Sequence, residues 1–315
     1  MHTLDLVIPC YNEDACVRLF YKKASAIVSK INAIDHWQII YVNDGSKDNT
    51  LEEIKKLISE YGNLHIKYIS FSRNFGKESA IYAGLSYSTG DYVVLMDADL
   101  QHPAELLPEM VSKLDDGFDC CGARRVTREG EPVIRSFLSK VFYKVINHMT
   151  SMELVQGGSD FRMMKRPVVD AILLMQERER FTKGMMSWVG FDTEWIEYEN
   201  VERAAGTTKW SVGSLFRYAV SGYIAFATAP LRIAIWLGAI IDVVTLIWGI
   251  CYFIIALSSD TSRTGFATII LLTSFFGGTI IMLLGIIGEY MARMYMEVKK
   301  RPIYLIKDTN MRREV

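Results

Sequence analysis

Two aspartates separated by one residue follow a short apolar run near the middle of the first half of the chain. Val93 to Met96 are apolar, and the sequence continues as Asp97-Ala98-Asp99-Leu100-Gln101-His102-Pro103. Carboxylates this close repel each other unless a cation lies beside them. Mg²⁺ and Mn²⁺ prefer oxygen ligands and are commonly held by one or two carboxylates together with phosphate groups. The pattern predicts a divalent metal site, with a solvated turn as the alternative, and His102 is expected to be structural.

Two earlier polar clusters also follow apolar, strand-like runs. The first is VIPCYNE, residues 7–13, which can present backbone amides and Glu13 to a nucleobase or a ribose. The second is VNDGSKDNT, residues 42–50, in which Gly45 lets the chain turn and Asp44 can accept hydrogen bonds from a base or a ribose hydroxyl. Taken alone, the first is also a common turn and the second is also typical of an Asx turn that leads into a helix.

The elements that must position these clusters alternate between strand and helix. The predicted strands are Leu4–Ile8, Gln38–Asn43, Ile66–Ser70 and Tyr92–Met96. The predicted helices are Ala15–Lys30, Thr50–Tyr61 and Lys77–Ser88, and Asn49 with Glu52 resembles an N-cap pair. Such alternation predicts a parallel α/β sheet covered on both faces. Ligands of these sheets bind at the carboxyl ends of the strands, where the polar clusters lie.

Residues 229–290 have a different composition and predict a transmembrane hairpin. Residues 231–257 and 266–288 are long apolar runs, the first interrupted by Arg232 and Asp242, with a short polar loop between them. Basic residues follow the second run in the segment 291–315, whereas Arg263 in the loop is offset by Asp260. The positive-inside rule therefore predicts a multi-pass plasma-membrane protein with both flanks cytoplasmic. A buried helical hairpin of a soluble protein is the alternative.

Two further segments have the pattern of amphipathic helices that lie on a bilayer surface. Residues 133–147 carry an apolar face with interspersed basic residues, and residues 211–228 carry aromatic and aliphatic residues with Arg217 as the one charge of the helical run. Core-facing helices would show a similar pattern. The neighbouring apolar hairpin favours the interfacial interpretation.

Composition excludes some classes of protein. The formal net charge is -1, so no overall field favours binding to nucleic acid. The five cysteines are odd in number and have no paired spacing typical of zinc sites, which predicts free thiols in a reducing compartment. The N-terminus has no basic stretch followed by a long apolar run, so we expect the first domain to stay in the cytosol.

The motifs VIPCYNE, NDGS, DADLQHP, GGSDFRMM and RAAGTTKWS occur in the order found in one family. The chain resembles the family 2 glycosyltransferases, specifically those that act on polyprenyl phosphates, and the resemblance covers nearly the whole chain. It implies a GT-A fold, an α/β domain with a Rossmann-like mixed sheet, over residues 1–210, followed by the two-span anchor and the cytosolic basic tail 291–315.

The resemblance also implies roles for individual residues. Asp99 and Gln101 correspond to metal ligands for Mg²⁺ or Mn²⁺, and Asp97 to a residue that contacts the nucleotide-sugar and organises the metal site. Asp160 corresponds to a base or to a carboxylate that orients the acceptor, with a turn aspartate as the alternative. The residues that correspond to the nucleotide-sugar pocket are Pro9, Tyr11, Glu13, Asp44, Arg203 and Lys209. The residues that correspond to the acceptor-phosphate site are Arg124, Arg135 and Ser139.

The activity that follows from the resemblance is an inverting transfer of a hexose from a UDP-sugar to undecaprenyl phosphate at the cytoplasmic membrane face. Glucose is the favoured sugar, with N-acetylglucosamine, mannose or amino-arabinose as alternatives. The sequence does not fix the oligomeric state, and a homo-oligomer is compatible with it.

Three rival functions fit the residues less well. A processive polysaccharide synthase would carry a QxxRW motif where this chain reads ERERFTKG, without tryptophan. A non-catalytic sensor of nucleotide-sugars would not need the intact set of Asp97, Asp99 and Gln101. A dinucleotide-binding oxidoreductase would carry GxGxxG after the first strand, and this chain does not.

Overall fold

The computed structural model describes residues 1–125, 155, 157–178, 180–199, scattered positions between 236 and 254, and 265–311. The chain divides into two compact units. The first comprises Met1–Ala225 and Pro302–Val315, and the second comprises Phe226–Arg301. The predicted interfacial helices at 133–147 and 211–228, and about half of the first predicted span, lie outside the described residues.

The first unit is built on an eight-stranded sheet in the order β7-β5-β6-β4-β1-β2-β3-β8. Its strands are β1 (His2–Cys10), β2 (Ile34–Asn43), β3 (Ile66–Phe71), β4 (Tyr92–Leu95), β5 (Cys120–Arg125), β6 (Gly158–Lys165), β7 (Thr193–Tyr198) and β8 (Ile306–Thr309). Strands β1 to β4 are parallel, as their alternation with helices predicts. β6 runs antiparallel to β4 and β5, and β8 runs antiparallel to β3. The mixed α/β sheet expected from the family resemblance is therefore confirmed.

Helices cover both faces of this sheet. They are α1 (Asp14–Val28), α2 (Thr50–Tyr61), α3 (Lys77–Tyr87), α4 (Leu107–Asp115), α5 (Arg166–Leu174) and α6 (Thr182–Trp188). One apolar core lies between the sheet and α1, α2 and α4, and a second lies between the opposite face and α3, α5 and α6. Most residues of β1 to β4 are buried because side chains on both faces of these strands enter one of the two cores.

The N-terminal signal predicted for α2 is only partly present in the structure. Asn49 occupies the N-cap position as predicted, but its side chain makes no capping hydrogen bond. The carboxylate of Asp48 instead accepts hydrogen bonds from the amide of Thr50 at 3.1 Å and from its hydroxyl at 2.6 Å. An aspartate one residue earlier therefore stabilises the start of this helix.

Helix α7 (Phe266–Val298) forms most of the described part of the second unit. Its 33 residues span about 50 Å, more than a bilayer core requires. Among the described residues, Phe275–Val298 is the one segment long and apolar enough to cross a membrane. The helix continues past the predicted end at Gly288, and a Glu289–Arg293 ion pair one turn apart supports the extension at 3.0 Å. The described positions between 236 and 254 are also helical.

The chain returns to the first unit after α7. Strand β8 pairs with β3 at the edge of the sheet, with Ile69 opposite Thr309 and Phe71 opposite Ile306. The segment expected to be a cytosolic basic tail from 291 therefore begins as helix and ends as a sheet strand. The sequence did not indicate β8, because four residues are too few to show a strand pattern.

Candidate active site

The sheet brings three loops together where its connections change direction. β1 lies between β2 and β4, so the chain builds outward from β1 through β2 and β3 and then crosses to the other side of β1. In open α/β sheets such a switch point leaves a crevice at the carboxyl ends of the strands. The loops after β1, β2 and β4 meet there, and they carry the three polar clusters of the sequence.

The loops after β1 and β2 are hydrogen-bonded to each other. Asn12 adopts a left-handed backbone conformation with φ 55°, its amide donates to the Ser46 hydroxyl at 2.9 Å, and its side-chain oxygen accepts from the Lys47 amide at 2.8 Å. The amide of Glu13 donates to the Thr50 hydroxyl at 2.9 Å. Pro9 lies opposite Val42 at the ends of the paired strands. Pro9, Tyr11 and Glu13 therefore lie at the same edge of the sheet as Asp44, and their contact with a nucleotide stays a prediction.

Asp44 is buried and organises a fourth loop, residues 72–76. Its two carboxylate oxygens accept hydrogen bonds from the amides of Phe75 at 2.6 Å and Gly76 at 2.9 Å. Burial raises the pKa of Asp44 to about 6, although these two hydrogen bonds and nearby Arg73 act in the opposite direction. Gly45 has φ 63°, and a Cβ there would lie 2.3 Å from the backbone carbon of Arg73. Glycine is therefore required where the two loops touch.

Asp97 and Asp160 meet across two antiparallel strands and share one lysine. Leu95 of β4 lies opposite Arg162 of β6. Because these strands are antiparallel, Asp97, two residues after Leu95, and Asp160, two residues before Arg162, lie at the same edge of the sheet. The ammonium group of Lys77, at the start of α3, lies 2.7 Å from Asp97 Oδ1 and 2.8 Å from Asp160 Oδ2. Lys183 lies 3.8 Å from the other oxygen of Asp160.

The lysines keep both carboxylates ionised. Desolvation raises the pKa of Asp160, but the charges of Lys77 and Lys183 outweigh it and hold the pKa well below its usual range. Desolvation likewise raises the pKa of Asp97, but the charge and hydrogen bond of Lys77, together with His102, bring the pKa below its usual value. The pKa of Lys77 is raised because the two carboxylates outweigh its own desolvation. An aspartate with so low a pKa is a weak base, which favours an orienting role for Asp160.

Asp99 and Gln101 lie on the turn that follows Asp97. Asp99 is 9 % exposed, and one of its carboxylate oxygens accepts a hydrogen bond from the Gln101 amide at 3.1 Å. Leu100 between them has φ 61°, a strained conformation for a branched side chain, which is typical of backbone held in place at a functional site. His102 accepts a hydrogen bond from the Asp97 amide at 3.2 Å and stacks on Phe161 at 5.2 Å, so its part is structural.

The oxygen donors on this turn fit a hard divalent ion, although they do not form a complete cage. Asp99 offers a carboxylate and Gln101 an amide oxygen, both of which suit Mg²⁺ or Mn²⁺. Asp97, Asp99 and Asp160 carry three negative charges against the two positive charges of Lys77 and Lys183, which leaves a net negative charge. No group of three or more His, Cys, Asp or Glu side chains within the described ranges is placed to hold a metal. Substrate phosphate oxygens would have to complete the coordination.

Of the residues matched to an acceptor-phosphate site, the structure describes Arg124. It lies on β5 opposite Gly158, two residues before Asp160, and its guanidinium pairs with Glu197 of β7. This pair is solvent-exposed, and such pairs stabilise a fold little, so Arg124 can exchange its partner. Arg135, Ser139, Arg203 and Lys209 lie outside the described residues.

Comparison with known proteins identifies the family. The sequence profile described as "Glycosyl transferase family 2" matches residues 5–173, more than half of the chain. The chain belongs to glycosyl transferase family 2. It is 43% identical over 307 residues to the putative glycosyltransferase CsbB of Bacillus subtilis (strain 168), covering 98% of this chain and 92% of the relative. It is 36% identical over 306 residues to the prophage bactoprenol glucosyl transferase homolog of Escherichia coli (strain K12), covering 96% and 98%.

A solved structure is also similar. Glucosyl-3-phosphoglycerate synthase from Mycobacterium tuberculosis, crystallised with Mn²⁺, UDP-glucose and phosphoglyceric acid, matches 70% of this chain and 76% of its own at a TM-score of 0.47 and 20% identity. Family membership and the full-length relatives make this chain a glycosyltransferase.

Lys77 and Lys183 of this glycosyltransferase are site residues that were not predicted from the sequence. Lys77 occupies the first position of α3, and Lys183 the second position of α6. A positive charge at a helix N-terminus is opposed by the helix macrodipole. An unfavourable lysine directly after the Gly76 turn is the signal that could have indicated a functional role for Lys77.

Proposed function

We propose that this glycosyltransferase moves glucose from UDP-glucose to undecaprenyl phosphate at the cytoplasmic face of the plasma membrane. The observation that carries the proposal is the pair of carboxylates Asp97 and Asp160, held by Lys77 and Lys183 at the switch point of the sheet, with Asp99 and Gln101 on the turn that follows Asp97. The acceptor class is taken from the relatives named bactoprenol glucosyl transferase, which this chain matches over nearly its whole length.

The reaction would be a single in-line displacement. A phosphate oxygen of the lipid attacks the anomeric carbon, the bond from that carbon to the UDP oxygen breaks, and UDP leaves with the electron pair. The configuration at the anomeric carbon inverts, and no covalent enzyme intermediate forms. Because a phosphate acceptor is already anionic near neutral pH, the enzyme needs to orient it rather than deprotonate it. The low pKa of Asp160 fits this orienting role.

Asp99 and Gln101 would hold a Mg²⁺ or Mn²⁺ ion. When bound, such an ion would stabilise the charge on the departing diphosphate. Asp97, fixed by Lys77, would then contact the sugar and orient Asp99 through the turn they share. Arg203 and Lys209, assigned by resemblance, would close on the diphosphate.

The position of β8 supports a membrane anchor whose two ends lie on the same side of the membrane. β8 follows α7 in sequence and pairs with β3, which precedes it by more than 200 residues. A strand can join that sheet only if the chain has returned to the side where the sheet lies, so the number of crossings between them must be even. With α7 as one crossing, the apolar run at 231–257 supplies the other. Lys299, Lys300 and Arg301 favour the cytoplasm as that side.

The transfer assay that tests this function uses detergent-purified full-length protein, undecaprenyl phosphate and Mn²⁺ or Mg²⁺. Radiolabelled UDP-glucose, UDP-N-acetylglucosamine, GDP-mannose and a UDP-amino-arabinose donor are compared, and label in the organic phase is counted. We expect label from UDP-glucose. Label from another donor alone would overturn the assignment of glucose, and absence of product with every donor would favour the non-catalytic sensor.

The Arg135→Ala substitution is expected to raise the KM for undecaprenyl phosphate about tenfold, with little change in the KM for the nucleotide-sugar. The reason is the loss of one charge-assisted hydrogen bond to the acceptor phosphate. Lys144→Ala, which removes the same charge from the same segment, is the matched control. An increase in the donor KM instead would mean that this segment does not bind the acceptor.

Nucleotide binding is expected to depend on the ionisation of Asp44. If the ionised carboxylate accepts a hydrogen bond from the base or ribose, the affinity for UDP should fall about tenfold between pH 7 and pH 5, because the pKa lies at about 6. The folded-state pKa lies above the unfolded value, so protonation of Asp44 favours the folded state as the pH falls from about 6 towards 4. Unfolding caused by this group therefore cannot account for the loss of affinity.

Calorimetric titration of UDP at several pH values checks this prediction, with Asp44→Asn as the comparison. The amide of asparagine would face one backbone N–H donor, so we expect weaker binding at every pH and no step near pH 6. A step that persists in Asp44→Asn would assign the titration to another group.

A further inference from the structure

We infer that the segment Pro302–Met311, which follows α7, is a positioning element of the nucleotide pocket. Within this segment, Tyr304 is the residue that holds the loop 72–76 in place. The inference rests on the proposed function of that pocket as a UDP site. It assigns a functional part to a segment more than 200 residues distant in sequence from the loop it supports.

The segment is fastened to the edge of the sheet by side chains as well as by backbone. Asn310 accepts a hydrogen bond from the Tyr68 amide at 2.7 Å and donates one to the Ile66 carbonyl at 3.1 Å, so its side chain continues the strand ladder. The Thr309 hydroxyl donates to the Tyr68 carbonyl at 2.6 Å. Asp308 pairs with Lys55 of α2 at 2.6 Å. These contacts fix the register of β8 on β3.

Tyr304 lies before β8 and contacts the end of β3 and the side of α3. Its ring stacks on Phe71 with the centroids 5.0 Å apart, and it meets Tyr82 edge-on at 6.3 Å. The carbonyl of the next residue, Leu305, accepts a hydrogen bond from the Ser72 amide at 2.9 Å. The segment therefore contacts the chain through a ring stack and a hydrogen bond at the point where β3 ends and the loop 72–76 begins.

The same loop positions two groups of the active site. The ring of Phe71 meets Phe75 edge-on at 5.7 Å, and the amides of Phe75 and Gly76 bind the carboxylate of Asp44. Lys77 follows directly and bridges Asp97 and Asp160. A shift of Phe71 would consequently displace the amides that hold Asp44 and the start of α3.

Covering a sheet edge does not by itself require Tyr304. β8 closes the edge of β3 through backbone pairing, which prevents pairing with other chains. Tyr304 stands outside that ladder and is half-buried against the second core. The ring of Tyr304 contacts Phe71, next to the loop, and Tyr82 of α3. Loss of the ring should therefore change the geometry of the pocket more than the pairing of β8.

The test compares Tyr304→Ala, Tyr304→Phe and Lys307→Ala in the full-length protein. Lys307 is exposed on β8, so its variant controls for changes to the strand itself. The affinity for UDP is measured by calorimetry without lipid, and the KM for the donor and for undecaprenyl phosphate is measured separately. Hydrogen exchange of residues 72–76 reports the loop directly.

Tyr304→Ala is expected to weaken UDP binding about fivefold, the size expected when one aromatic pair is lost, while the KM for the lipid stays unchanged. Tyr304→Phe, which keeps the ring contacts with Phe71 and Tyr82, should bind UDP more tightly than Tyr304→Ala, and Lys307→Ala should bind it as the parent protein does. Exchange in residues 72–76 should accelerate in Tyr304→Ala. If this variant does not fold, Tyr304→Leu, which keeps the apolar contact without the ring, is expected to give the same selective effect.

Unchanged UDP affinity in the alanine and leucine variants, or an equal rise in the KM of donor and lipid, would overturn the inference while leaving the proposed function intact. If the parent protein binds another nucleotide and not UDP, the proposed donor is wrong. The same set of variants titrated with that nucleotide then decides whether Tyr304 positions the pocket.

Discussion

Replacing Asp99 by asparagine is expected to abolish sugar transfer while the protein still folds and inserts into membranes. Asparagine keeps an oxygen that can accept the hydrogen bond from the Gln101 amide, so the turn is retained. The asparagine side chain lacks the negative charge of the carboxylate that is expected to bind the divalent ion. Since metal stabilisation of a leaving group is worth several kcal/mol, we expect kcat to fall by at least about 100-fold.

The metal itself provides a readout that is independent of turnover. Binding of Mn²⁺ to the UDP complex, followed by electron paramagnetic resonance, should be strong in the parent protein and lost in Asp99→Asn. Asp116→Asn is the matched control, because Asp116 is exposed at the end of α4, away from the three loops of the site. Undiminished transfer in Asp99→Asn, or in the parent protein with EDTA, would contradict the metal assignment.

The elements that hold the site could be predicted because their signals are local. α2 begins and ends at the predicted residues Thr50 and Tyr61, and strands β1 to β4 each contain most or all of their predicted range. Their apolar runs are short, buried on both faces and ended by polar turns, which is the pattern of parallel strands. The clusters that follow these strands were therefore placed at the correct edge of the sheet.

The partners of these clusters could not be predicted because their contacts are not local. From the sequence, a metal was the expected cation beside the paired aspartates. The structure also places Lys77, twenty residues before Asp97, against both Asp97 and Asp160. Likewise β8 follows the apolar segment 229–290, and nothing in Ile306–Thr309 indicates β3 as its partner. Long-range pairing of this kind depends on the fold and leaves no periodic pattern.

The Lys77→Met substitution is expected to reduce kcat by about 100- to 1,000-fold, because it removes the cation that holds two active-site carboxylates together. Methionine keeps most of the length and apolar surface of the lysine side chain but no charge. Asp97 and Asp160 would then repel each other, and one of them would move away or take up a proton. Either outcome misplaces Asp97, which is proposed to contact the donor sugar, or Asp160, which is proposed to orient the acceptor.

The pH dependence of kcat distinguishes this positioning role from simple loss of stability. With Lys77 present, the pKa of Asp97 and of Asp160 lies below the usual range, so kcat at saturating donor should be flat from neutral pH into mildly acidic conditions. Without Lys77, the pKa of the pair rises, because like charges close together disfavour ionisation. The residual kcat of Lys77→Met should consequently fall as the pH is lowered over that range.

Stability is expected to fall only moderately in Lys77→Met, because the network is partly exposed and water can solvate the carboxylates that lose their partner. The side chains of Lys77, Asp97 and Asp160 are 36%, 32% and 24% exposed, so water screens part of their attraction. Lys22→Met, which removes an exposed lysine from α1, controls for the change in net charge. Lys77→Arg keeps the charge with a broader head group and should recover part of the kcat and the flat pH profile. If Lys77→Met lowered the melting temperature sharply and left kcat unchanged, Lys77 would be a structural residue, and the carboxylates would keep their positions without it.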